Sequence, residues 1–274
     1  MNRLFVGYKP SGISSNQFLS RIKRRYKTKK AGYSGTLDPF AKGVLIIALG
    51  NHTRLFRFLD KTPKTYRATL WLGAHSQTLD IEAVYHIDEL RPLHVNDIHN
   101  VLASLQGDIT YDPPQFSAKK INGIRAYALA REGKEAALEP ITSQIHAIKL
   151  LHYCHPFITF EATVSEGTYI RSLGAIIAQR LGTTGGILSA LERLQEGKFR
   201  YNNEQPIDIK TILNMPQNRY LGDPQNLEFG RKLALEDLES QSEGTYWIDS
   251  GIVIAIIRIE NGAVSYLLNK VESC

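Results

Sequence analysis

The feature that most constrains the fold of this chain is the way its apolar residues keep switching period without settling into a repeat. Thr65–Leu72 alternates, with Tyr66, Ala68, Leu70 and Leu72 on one side, and predicts a half-buried strand. Val44–Leu49 is a continuous apolar run and predicts a buried strand; Phe157–Val164 predicts another, and Leu4–Val6 a short one ending at Gly7 and Pro10. Elsewhere the spacing becomes helical. Phe18, Leu19, Ile22 and Tyr26 follow a Ser14 or Ser15 cap, Val95, Ile98, Leu102 and Leu105 run up to Gly107, and Leu173, Ile176, Ile177 and Leu181 run up to Gly182. Gly32–Pro39 and Pro113–Gly123 predict loops, the second followed by a short helix holding Tyr127 and ending near Gly133. This order lacks the regular βαβ alternation of a doubly wound sheet, so the expected class is α+β.

Beyond about Arg219 the character changes. Tyr246–Ile248, Ile252–Ile259 and Val264–Leu268 predict short strands separated by Gly251 and Asn261-Gly262. The expected organisation is a main body over residues 1–218 and a small β module over 219–274. The 274 residues allow one large domain with such an appendage.

Composition narrows the class of function. The apolar runs fall far short of the ~20 residues of a membrane span, and Met1–Pro10 has no long apolar stretch of the kind that opens a signal peptide. Cys154 and Cys274 are too few for a disulfide framework or a thiolate metal site, so the expected address is a reducing cytoplasm. The net charge is +6, yet Met1 to Arg67 holds 15 Lys or Arg against Asp38 and Asp60 alone, or +13, which leaves −7 for the rest. Cations concentrated without interspersed acids point to a polyanion, nucleic acid being the usual one. Arg21, Lys23, Arg24, Arg25, Lys27, Lys29 and Lys30 crowd one helix and the loop after it.

There is no phosphate loop, no dinucleotide fingerprint, no H-E-x-x-H and no G-x-S-x-G elbow. The eight histidines show no convincing ligand spacing, so neither a metal nor a cofactor is expected. What stands out is the glycine-punctuated segment from Ala31 to Gly43, with Asp38 and Pro39 at its centre. Glycines allow close backbone approach to a ligand, Pro39 restricts the residue bearing the carboxylate, and cationic neighbours would keep Asp38 ionised, as a nucleophile must be. An ordinary Asp-Pro turn has the same local sequence.

The segment resembles the catalytic motif of the TruB-type pseudouridine synthases, and it does not stand alone. Lys9, Pro10, Gly12, Ser14, Ser15 and Asn16 resemble that family's N-terminal motif, and Lys64, Tyr66, Leu72 and Gly73 its K-x-Y and L-G strand. Pro113, Pro114, Ser117, Lys120, Gly123 and Tyr127 are similar to its P-P-x-x-S-A-x-K segment, Gly167–Arg171 to G-T-Y-I-R, and Leu191 with Arg193 to the L-x-R that follows. The ordered series runs from about Phe5 to Phe199.

The resemblance implies a pseudouridine synthase fold with a mixed central sheet, ended by a reduced form of the RNA-binding PUA domain. It implies a substrate too: uridine 55 in the T-arm of tRNA, flipped out of its stack. Asp38 would attack the nucleoside, at the sugar or at the pyrimidine. Tyr66 would stack on the uracil near the C5 proton that leaves. Arg171 would pair with Asp38 and orient it. Tyr169 and Leu191 would line the pocket, Lys9 and Lys120 would be phosphate or active-site contacts, and Tyr33 would fill the space left by the flipped base. Tyr33 stands where the family commonly has His, and Gln77 replaces an acid in a T-x-T-x-D pattern that ends here in Asp80. A monomer needing no protein partner is expected. The 219–274 module, with five bases and nine acids, is expected to add little to RNA recognition. Three rival readings stand beside this one: a pseudouridine synthase with another target, since Tyr33 touches specificity; an RNA-binding module without turnover; and an N-glycosidase that uses Asp38 and releases free uracil.

Overall fold

The computed structural model describes residues 1–117, 119–121, 123–134 and 138–272; at Lys120, Ile121, Ile124, Arg125 and Arg131 it describes the backbone alone. The chain forms β1 (Arg3–Lys9), α1 (Ser15–Arg25), β2 (Ala31–Tyr33), β3 (Lys42–Leu49) and, past a 3-10 segment at Gly50–Phe58, β4 (Lys64–Leu72). A small hairpin of β5 (Ala74–His75) and β6 (His86–Ile87) precedes α2 (Val95–Ala103) and β7 (Gly107–Tyr111). A second hairpin, β8 (Lys120–Ile121) and β9 (Ile124–Arg125), leads into α3 (Ala126–Arg131). Then come β10 (Ile141–Cys154), β11 (Phe157–Val164), α4 (Ile170–Arg180) and β12 (Gly186–Glu196). The C-terminal part holds α5 (Pro224–Phe229), β13 (Gly244–Asp249), β14 (Val253–Glu260) and β15 (Ala263–Glu272).

Among the described residues the main sheet runs β1-β3-β12-β4-β11-β10-β7, with β2 also on β3. It is mixed: β12 meets β3 in parallel, through Glu192 opposite Lys42 and Arg193 opposite Gly43, while its other pairs are antiparallel. The apolar run of β3 explains its central place. Leu45, Ile47 and Leu49 enter the principal core, and Val44, Ile46 and Ala48 enter a second cluster on the opposite face with Leu4 and Val6. β4 buries Tyr66, Ala68, Leu70 and Leu72 as its alternation predicts. Its other face carries threonine pairs across to β11, Thr65–Thr163 and Thr69–Thr159, each 3.1 Å apart. Phe18 and Ile22 of α1, Ile98 and Leu102 of α2, and Leu173 and Ile177 of α4 all pack into that principal core. α4 lies close on the sheet at Gly186, where any Cβ would collide with the Ala178 side chain.

Two differences from the sequence expectation stand out. The loop expected over Gly32–Pro39 begins inside β2, whose Gly32 and Tyr33 pair with Ala48 and Ile47. In addition, β10 and β12 carry no readable strand signal. β10 buries little beyond Ser143 and Ile145, and the Leu, Glu, Arg and Gln of β12 are good helix formers drawn into a strand by the sheet around them.

The C-terminal strands do not stand apart from the body. Leu55, Ile209 and Leu213 share one buried cluster with Trp247, Ile254, Ile256, Leu268 and Val271. Polar side chains of the 3-10 segment fasten the outer strand. Arg54 Nη1 donates to the Asn269 carbonyl at 2.8 Å, Arg57 Nη2 donates to the Leu267 carbonyl, and His52 Nε2 lies 3.1 Å from the Glu272 carbonyl. Several cations of the basic N-terminal third are therefore structural ties. Arg25, which pairs with Glu204 at 2.5 Å, is another.

Candidate active site

The Asp38 loop joins β2 to β3 and is strapped down from both sides. On one side is the turn between β1 and α1, where Ser14 caps α1 in a capping box with Gln17. The buried Ser15 hydroxyl donates to the Leu37 carbonyl at 3.0 Å and accepts from the Leu37 N–H at 2.9 Å. Gly12 N–H donates to the Pro39 carbonyl at 2.8 Å. Lys9 completes the strap. Its side chain is fully enclosed, and Nζ donates to the carbonyls of Ile13 at 2.7 Å, Pro10 at 3.0 Å and Pro39 at 3.4 Å. Burial pulls the Lys9 ammonium down to about 8, against the opposing pull of Asp38. A phosphate contact at Lys9 is thus corrected: an enclosed ammonium with three carbonyl partners supports the loop and reaches no phosphate.

On the other side lies a buried ionic cluster. Arg193 donates from Nε to the Val44 carbonyl at 2.8 Å and from Nη2 to the Gly35 carbonyl at 3.3 Å, and Nη2 stands 3.3 Å from Glu196. Glu196 also accepts from the Ser34 hydroxyl at 2.8 Å and lies 3.7 Å from the Lys64 ammonium. Gly43 makes this approach possible. It sits at φ +120°, and a Cβ there would run into the Arg193 backbone.

Arg171, the second residue of α4, meets the loop from behind. Its Nε is 2.9 Å from one Asp38 oxygen and its Nη2 is 3.3 Å from the other, a bidentate pairing. The remaining donors reach the Thr78 carbonyl at 2.6 Å and the Phe116 carbonyl at 2.8 Å, with Asp80 3.7 Å away. Asp80 is itself fixed by the Thr78 hydroxyl and the Glu82 N–H. Arg171 is 4% exposed while Asp38 keeps 35% of its side chain open, so of the pair Asp38 is the one that a molecule in the cleft can reach.

Burial in the cleft pushes the Asp38 carboxyl up from the ordinary range; Arg171 opposes this, Asp80 adds to it, and Lys9 opposes it more weakly. The expected surrounding of cations is real, but it does not win outright. If Asp38 attacks in its ionised form, as the motif resemblance implies, activity should fall on the acid side at a higher pH than for an ordinary aspartate. Asp80→Asn removes one cause of the rise, so its acid limb in a kcat/KM–pH profile should lie at lower pH than that of the parent. An unmoved or upward-moved limb contradicts this assignment.

Asp38 and Arg171 stand on the wall shared by two adjoining cavities. One, about 310 Å³, is lined by Tyr66, Tyr169, Leu191 and Lys64, which brings the expected uracil-pocket residues together with Asp38. The other, about 320 Å³, is lined by Tyr33, Asn16, Asp80 and Tyr127, with Tyr33 donating to Asn16 at 3.0 Å. The Lys120 side chain lies outside the described residues. Sequence reasoning gave no supporting role to Ser15, Lys64, Asp80 or Glu196. The first three had a signal, as members of the N-terminal, K-x-Y and T-x-T-x-D patterns; Glu196 had none.

The mixed sheet that carries the Asp38 loop is a fold shared with solved structures. The Cbf5–Nop10–Gar1 complex contains a chain that superposes with a TM-score of 0.67 at 21% identity, over 98% of this chain and 84% of that one. An H/ACA RNP bound to a substrate RNA containing 2′-deoxyuridine gives 0.66 at 19%, over 99% and 85%. Residues 23–170 match the TruB family pseudouridylate synthase N-terminal domain. The tRNA pseudouridine synthase B of Sulfurimonas denitrificans is 62% identical over 272 residues, 99% of this chain and all of that one. Its counterpart in Campylobacter jejuni strain RM1221 is 51% identical over the whole of both chains. The chain belongs to the TruB family and is an enzyme of the pseudouridine synthase class.

Proposed function

We propose that this enzyme converts uridine 55 in the T-loop of tRNA to pseudouridine, with Asp38 as nucleophile. The observation that carries the reading is the half-open Asp38 carboxylate, held by Arg171 at 2.9 Å and facing a pocket lined by Tyr66, Tyr169 and Leu191. Full-length relatives named tRNA pseudouridine synthase B support the choice of RNA. In the reaction the N1–C1′ bond breaks, the uracil turns over, C5 bonds to C1′, and the C5 proton is lost as N1 gains one. Nothing is oxidised or hydrolysed, so the residues need supply only attack, stacking and proton exchange. Tyr66 stacks on the flipped base, Tyr33 fills its former place, and Lys120 is a phosphate or active-site contact. Exposed Arg21, Arg24, Lys27 and Lys29 offer phosphate contacts along and beyond α1.

The acidic 219–274 module serves the body more than the RNA, and the enzyme works as a monomer, without protein partners, in the cytoplasm. No helix among the described residues is long and apolar enough to cross a membrane. The test is to map pseudouridine in unmodified tRNA before and after incubation with the pure protein alone. One new pseudouridine at position 55, with no free uracil, is the expected result. Release of uracil would make the protein a glycosidase, and binding without conversion would make it an RNA-binding module.

A further inference from the structure

Away from the catalytic cleft, the β5–β6 hairpin brings three ligand-bearing side chains to one face. His75 pairs directly with His86 across the ladder, so both project to the same side, and Asp88 follows His86 by two residues and returns to it. His75 Nε2 lies 2.7 Å from one Asp88 oxygen and His86 Nε2 lies 2.9 Å from the other. The ligand atoms of all three fall within 4.8 Å of one another. The backbone beneath them is firmly tied: Asp88 N–H donates to the Gly73 carbonyl at 2.8 Å, Gly73 N–H to the Gly185 carbonyl at 2.9 Å, and Tyr85 N–H to the His75 carbonyl at 3.1 Å. The Thr184 hydroxyl donates to the Asp88 carboxylate, fixing its orientation as outer partners of metal ligands do. The side chains of His75, His86 and Asp88 are 22%, 60% and 26% exposed, so an ion has a path from solvent.

We propose that His75, His86 and Asp88 form a site for a divalent transition metal of the Zn²⁺ type. Two imidazoles and one carboxylate, with a water in the fourth place, make a tetrahedral donor set for Zn²⁺. The same set does not suit Mg²⁺ or Ca²⁺, which take oxygen ligands. Bonds of about 2.0–2.2 Å place tetrahedral ligand atoms roughly 3.4 Å apart, so the two observed pairs need open only slightly to admit the ion. To ligate through Nε2, each neutral imidazole presents that lone pair to the ion and carries its single ring proton on Nδ1. The segment leaving His75 carries Thr78 and Asp80, which support Arg171. A metal here therefore fastens the root of the catalytic support without touching the substrate.

The competing reading is a metal-free clasp in which the carboxylate simply bridges two imidazoles. Isothermal titration of the full-length, EDTA-stripped protein with ZnCl2 in a non-chelating buffer separates the two. The site predicts one equivalent bound, weakened at least about tenfold by His86→Ala and by Asp88→Asn, with circular dichroism unchanged, and no binding of MgCl2. Co²⁺ in place of Zn²⁺ should give the visible absorption of a four-coordinate ion. Absence of Zn²⁺ binding, or binding that both variants leave intact, overturns the proposal in favour of the clasp.

Discussion

Asp38→Asn should reduce isomerisation more than about a thousandfold, at least ~4 kcal/mol of transition-state stabilisation, while leaving the fold and most of the tRNA affinity in place. The substitution keeps the side chain's shape and one carbonyl oxygen for Arg171, but it removes the charge that makes the group a nucleophile. The loop would stay where it is, because its position depends on Ser15, Gly12 and Lys9 holding the Leu37 and Pro39 backbone. Tritium release from C5-labelled uridine in tRNA, in a preparation free of the parent enzyme, is the measurement. Turnover within tenfold of the parent would remove Asp38 from the centre of the reaction.

Truncation after residue 218 should leave a chain that cannot hold its native fold at 37 °C. It strips the partners from Leu55, Ile209 and Leu213, which lie buried against Trp247, Ile254, Ile256 and Leu268. At about 1.5–3 kcal/mol for each large apolar side chain returned to water, these three alone cost on the order of 5–9 kcal/mol. A native domain has only about 5–15 kcal/mol in total. The ties from Arg54 and Arg57 to the outer strand are lost as well. Thermal denaturation followed by circular dichroism checks this. A truncated chain that melts within about 5 °C of the full protein would make the module a mere appendage and would contradict this prediction.

Much of the site is legible in the amino-acid sequence. The motif series brings Asp38, Tyr66, Tyr169, Arg171 and Leu191 forward, and the fold gathers all five around one cleft. Their side chains are specified by chemistry that recurs in a fixed order along the chain, and order is what a sequence records. Lys9 is legible as a position but not as a role. A lysine written beside Pro10 and Gly12 looks solvated, and only the fold encloses its ammonium among three carbonyls.

By itself the sequence determined the α+β class, most helices, and strands such as β4 and β11, because their burial repeats at a period that neighbours in the chain can express. Only the tertiary structure decided β10 and β12, which take their conformation from flanking strands rather than from their own residues. It alone decided the Arg193–Glu196–Lys64 cluster beneath the loop, and it alone joined the C-terminal strands to Leu55. His75, His86 and Asp88 show the same limit most plainly. No spacing of histidines along the chain announces them as a group, because the contact that unites them is a cross-strand pair. Local periodicity is written residue by residue; convergence of side chains from distant segments exists only once the sheet has formed and brought their backbones into register.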